Sequence, residues 1–117
     1  MLTLFVEDNI DTLRLYEYIA KEKGLYADNL LDAYLLYKEY KPLRVILDFN
    51  IAGEMPLDFV DYVKKDNPKV DIYIVTAYNV EVPLRFFHFD KNRIFTKPKG
   101  IGIIKKMILE NGSHATA

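Results

Sequence analysis

Two apolar rhythms alternate along this chain, one of short unbroken runs and one with a period of three to four residues. Leu2 to Val6 is the first run; it contains β-formers and stops at Glu7-Asp8, as a strand buried on both faces stops at a polar edge. Ile10, Leu13, Tyr16, Ile19 and Ala20 then recur at helical spacing. Asn9 or Asp11 can cap that helix and Gly24 can end it, and the basic turn Lys21-Glu22-Lys23 suits the carbonyl end of its dipole. Leu25-Tyr26-Ala27 reads as a brief second strand. Asp28 or Asn29 then caps a helix that runs to about Tyr40 and is stopped by Pro42.

The clearest strand is Arg44-Val45-Ile46-Leu47, which ends on Asp48. A loop with Asn50, Gly53 and Pro56 leads into a helix from about Leu57 to Lys65, broken by Asn67-Pro68. Val70 to Val75 predicts a fourth strand ending at Thr76, and Ile94-Phe95-Thr96 a fifth ending at Lys97-Pro98. A final helix is expected from about Gly102 to Glu110. Val80 to Phe89, with mixed periodicity and an internal Pro83, predicts a short or irregular helix. Five strands separated by helical segments imply right-handed crossovers, hence an α/β fold with a doubly wound parallel sheet and helices on both faces.

Composition narrows the classes of function. The 117-residue length suits one domain, expected over 1–111, with 112–117 a disordered tail or a tag or linker remnant. Sixteen Lys+Arg against 17 Asp+Glu leave no field to attract nucleic acid or a membrane surface. Zero cysteines exclude disulfides, Cys-ligated zinc, iron–sulfur clusters and thiol nucleophiles. The N-terminus lacks a basic region followed by a long apolar one, and no apolar run approaches the ~18 residues of a membrane span, so a cytoplasmic location is expected. Ser113, the only serine, stands in the tail, which argues against a Ser-His-Asp hydrolase. His88 and His114 have no metal-ligand spacing, and Gly100-Ile101-Gly102 lacks the third glycine of a dinucleotide fingerprint, with Lys105 in its place.

In an open α/β sheet the functional crevice lies outside the carboxyl ends of the strands. Those ends carry Glu7 and Asp8, then Asp48, Thr76 and Lys97. Each alone reads as a helix cap, a strand end or a surface charge; together they place three carboxylates, a hydroxyl and an ammonium at one edge. Three adjacent carboxylates require a cation, and hard oxygen donors suit Mg²⁺ or Mn²⁺, with Asn50 able to add its backbone carbonyl. A metal alone has no use for Thr76 and Lys97. A phosphoryl group on Asp48 does, because its oxygens need counter-charge and a donor.

These residues make the chain resemble a response-regulator receiver domain of two-component signalling, over roughly residues 2 to 110. The anchors are Phe5-Val6-Glu7-Asp8-Asn9, Val45-Ile46-Leu47-Asp48, Val75-Thr76-Ala77 and Thr96-Lys97-Pro98. The resemblance implies a flavodoxin-like sheet of strand order 2-1-3-4-5 and a phosphorelay function that is not an enzyme's, with self-catalysed phosphotransfer and slow autodephosphorylation. Asp48 is then the phosphoacceptor, with Mg²⁺ held by Glu7, Asp8, Asp48 and the Asn50 carbonyl. Thr76 and Lys97 bind the phosphoryl oxygens, the Lys97-Pro98 peptide is cis, and a histidine kinase or phosphotransfer protein is the donor. It also implies that the 79–110 face, which includes Phe86, Phe87 and Phe89, forms a dimer or contacts an output partner.

Three positions depart from the family pattern. Ile94 stands three residues before the lysine, where a Tyr or Phe is usual, and Phe95 is expected on the opposite side of its strand. Ile51-Ala52-Gly53-Glu54-Met55-Pro56 lacks the usual proline a few residues after the acceptor, and Glu7 replaces the commoner Asp. The alternative reading is a pseudo-receiver, an interaction module with little or no phosphorylation-dependent output. A related phosphohydrolase would need a second Asp where Asn50 stands.

Overall fold

A computed structural model of the chain describes residues 1–77 and 91–116, with the side chains of these except Lys91 and 111–116. The elements follow in the order β1 (Thr3–Val6), α1 (Ile10–Ala20), β2 (Gly24–Ala27), α2 (Leu30–Tyr40), β3 (Arg44–Leu47), α3 (Leu57–Asp66), β4 (Asp71–Thr76), β5 (Ile94–Thr96) and α4 (Lys99–Thr116). All strand pairs are parallel, in the order β2-β1-β3-β4-β5, so the expected doubly wound, flavodoxin-like sheet is present. The irregular helix expected over 80–89, with Phe86, Phe87, His88 and Phe89, lies outside the described residues, as does the His114 side chain.

Register decides which helix covers which residue. Thr3 is level with Arg44, and Arg44 with Asp71, so Leu4, Val45 and Ile72 share one face and Phe5, Ile46 and Tyr73 the other. The first face packs with Tyr37 of α2 and with Phe59, Val60 and Val63 of α3. The second packs with Leu13 and Tyr16 of α1 and Ile104 and Ile108 of α4. β1 and β3 are buried along their whole lengths, which is why Leu4 to Val6 and Val45 to Leu47 are apolar without alternation.

The caps resolve in favour of asparagine. Asn9 accepts from Thr12 N–H at 3.0 Å and Asn29 from Asp32 N–H at 2.8 Å, so Asp11 and Asp28 are not the caps. Ile10, expected on the inward face of α1, is exposed as its first residue. That helix ends at Ala20, and Lys21, with a positive φ of 51°, is the first residue of one 3₁₀ turn. Gly24 therefore opens β2 and does not end α1. A Cβ on Gly24 would lie 2.2 Å from the Tyr26 hydroxyl, which folds back to donate to Lys21 O at 2.6 Å. α4 also exceeds its expected range, starting at Lys99 and passing Glu110 to Thr116. Asn111 and Gly112 lower helix propensity by up to about 1 kcal/mol each without forbidding the helix as proline does. No helix among the described residues is long and apolar enough to cross a membrane.

Candidate functional site

Ladder hydrogen bonds run one residue past the strands and fix the backbone of the residues that follow them. Glu7 N–H donates to Ala27 O (3.0 Å), Asp48 N–H to Val6 O (3.0 Å) and Lys97 N–H to Thr76 O (2.9 Å). All five strand-end residues predicted from sequence therefore stand along one edge. Glu7, Asp8 and Asp48 each offer a carboxylate oxygen within 4.8 Å of the others. Glu7 and Asp48 are buried, Asp8 is exposed, and Thr76 is fully buried at the end of β4.

Lys97 closes the cluster from β5. Its Nζ donates to Glu7 Oε1 at 2.5 Å and to Asp48 Oδ2 at 2.9 Å. Burial by itself lowers the Lys97 ammonium, but its bonds to the two carboxylates outweigh this and leave its pKa raised. Glu7 moves the other way from a normal carboxylate. Burial, followed by the bond and charge of neighbouring Asp48, pushes it up to about 7 against the opposing pull of Lys97. The Tyr16 phenol is raised as well, by burial and then by the charges of Glu7 and Asp48.

Each carboxylate also accepts one backbone N–H. Asn9 N–H donates to Glu7 Oε2 (3.2 Å), Asn50 N–H to Asp48 Oδ1 (3.0 Å) and Ala52 N–H to Asp8 Oδ2 (2.9 Å). None of these three was visible in sequence. The first two are bonds to a residue two positions along, that of Asp48 being a recurrent turn of aspartate; the third joins residues 44 apart and follows from the loop's shape.

The donor set fits a hard divalent cation. Three carboxylates face one ammonium, which leaves uncompensated negative charge in a partly buried site. All the donors are oxygen, and the exposed side of Asp8 leaves room for coordinated water. Beside Asp48, Asn50 Oδ1 is buried without a hydrogen-bond partner among the described residues, an acceptor of the kind a water or ion satisfies. Lys97-Pro98 is cis. Ile94 packs on the α2/α3 side of the sheet and Phe95 on the α1/α4 side, the opposition expected from strand alternation.

No family model matches the chain, and no curated protein does. Solved structures do. The signal receiver domain of a DNA-binding response regulator from Colwellia psychrerythraea superposes with a TM-score of 0.76 at 20% identity, covering 97% of this chain and 98% of that one. A response-regulator receiver domain from Clostridium thermocellum matches over 100% of both chains with a TM-score of 0.74 at 16% identity. A CheY-like receiver domain protein from Methanospirillum hungatei matches at 0.73 and 15%, over 97% and 99% of the two chains. The chain has the receiver-domain fold.

Proposed function

We propose that this chain is a phosphoacceptor switch that receives a phosphoryl group on Asp48 from a phosphohistidine of a histidine kinase or phosphotransfer protein. The observation that carries this reading is the joint placement of Glu7, Asp8, Asp48 and Lys97 at the carboxyl edge of a 2-1-3-4-5 sheet. An Asp48 carboxylate oxygen attacks phosphorus; the O–P bond forms, the P–N bond of the phosphohistidine breaks, and the imidazole leaves after taking a proton. Asn50 N–H on Oδ1 and Lys97 on Oδ2 orient the acceptor before the donor arrives. Lys97 then neutralises phosphoryl oxygens, and the Thr76 hydroxyl serves as their donor. Glu7, Asp8, Asp48 and the Asn50 carbonyl are the residues that would hold Mg²⁺ or Mn²⁺. When bound, the ion would supply charge neutralisation for the transferring group.

In this reading the protein has no separate substrate and acts in the cytoplasm through protein partners, contacting neither nucleic acid nor membrane itself. Phosphorylation shifts the 79–110 face between two populations, and hydrolysis of the acyl phosphate resets it. Incubation with Mg²⁺ and a small phosphodonor is expected to give an acid-stable, base-labile label. Asp48→Asn is expected to abolish it. A folded wild type that binds Mg²⁺ yet labels with no donor would instead establish the pseudo-receiver reading.

A further inference from the structure

The loop that lacks the usual proline has a conformation of its own. Ile51 N–H donates to Glu54 O at 2.9 Å and Glu54 N–H to Ile51 O at 3.0 Å, closing a two-residue hairpin. Its central residues, Ala52 at φ 54° and Gly53 at φ 84°, both lie in the left-handed region, as a type I′ turn requires. Glycine is at ease there. Ala52 is not, because its Cβ crowds the following carbonyl, and its exposed side chain makes no compensating core contact.

What this strained residue does provide is an N–H aimed at Asp8 Oδ2 at 2.9 Å. Glu7 and Asp48 receive their backbone N–H from residues two positions along the same segment, and both are further held by Lys97. Asp8 is exposed, and the Ala52 N–H is the one hydrogen bond its carboxylate accepts among the described residues. We infer that the left-handed Ala52–Gly53 turn is a positioning device for Asp8, holding this carboxylate in the acidic cluster by a bond that the rest of the site does not supply. The role presupposes that Glu7, Asp8 and Asp48 hold a cation. Outer partners that orient metal ligands commonly change affinity 10- to 100-fold when lost.

Calorimetric titration of the full chain with Mg²⁺ tests this, beside amide exchange in the metal-free protein. Ala52→Pro removes the N–H and forbids positive φ, so Mg²⁺ affinity is expected to fall about tenfold or more. Gly53→Val works through the backbone alone, because nothing lies within 4 Å of a Cβ added there; it is expected to weaken Mg²⁺ similarly, whereas Gly53→Asn, which tolerates the left-handed region, keeps wild-type affinity. Without metal, the Ala52 amide is expected to exchange slowly in the wild type and fast in Asp8→Ala. A wild type that takes up no Mg²⁺ at millimolar concentration overturns the cation site and this role with it. Wild-type affinity in both Ala52→Pro and Gly53→Val, beside a wild type that binds, overturns the positioning role alone.

Discussion

Arg44 carries a charge in a buried position at the start of β3. It is 5% exposed, and its Nε donates to Thr3 Oγ1 at 2.9 Å. Burial lowers its pKa against the opposing influence of Tyr73 and Asp71, while Asp71 itself is held by Arg93 at 2.5 Å. Taking a charge out of water costs several kcal/mol unless close, well-oriented partners repay it, and the hydrogen-bond partner of Arg44 is a neutral hydroxyl. Arg44→Met is therefore expected to leave the urea midpoint unchanged or raise it; a clear drop would show the guanidinium to be a net stabiliser. Asp66 belongs to a surface network in which Tyr37 Oη donates to it at 2.7 Å and Lys41 Nζ at 3.0 and 3.1 Å. The Tyr37 bond, then Lys41, lowers its pKa below the usual 3.8. A depressed carboxyl stabilises the fold above its unfolded value and stops doing so as pH falls through its folded one. The stability gap between wild type and Asp66→Asn is thus expected to be constant above about pH 4 and to close in more acidic solution. Glu7, Asp8, Asp48, Thr76 and Lys97 were legible because each ends an apolar run. The Ala52–Asp8 and Tyr37–Asp66 bonds were not, since they span 44 and 29 residues and depend on how elements pack.

The start of α4 shows what two nearby glycines do in one helix. A Cβ on Gly100 would lie 2.7 Å from Phe95 Cβ and 3.1 Å from Val75 Cγ1, because the helix crosses tightly over β4 and β5. Gly102 faces open space. Gly100→Ala is expected to destabilise by about 1–3 kcal/mol through overpacking, and Gly102→Ala to stabilise by about 0.4–1 kcal/mol, both read from chemical denaturation. Equal effects would mean that the close approach is relaxed in solution. Periodicity located every strand to within a residue or so, because unbroken apolar runs leave little choice of register. Helix ends were less legible. Lys21 and Lys41 leave α1 and α2 at positive φ, which lysine does not advertise, and Gly24, a stop signal by sequence, is shaped by the Tyr26 ring instead.

Both hydrophobic clusters are built on the same sheet, one from the α2/α3 side and one from the α1/α4 side. Neither can melt while the strands stay paired, so the chain is expected to unfold as one unit. Near-UV ellipticity of its tyrosines and far-UV ellipticity should then fall together in urea; separated transitions would show the two layers to be independent. The balance of 16 basic and 17 acidic residues also hides an arrangement in space, for the acidic cluster stands at the carboxyl edge while Arg44 and Arg93 stand near the amino ends of β3 and β5. The strand order has one more result, for the making of the protein. β1 lies between β2 and β3, and its partners on one side are residues 44 to 47. On the ribosome, β1 must therefore wait for some forty further residues before this flank is covered. Pairings so distant in sequence slow folding, which makes that interval the period in which nascent chains are most open to chaperones and to one another.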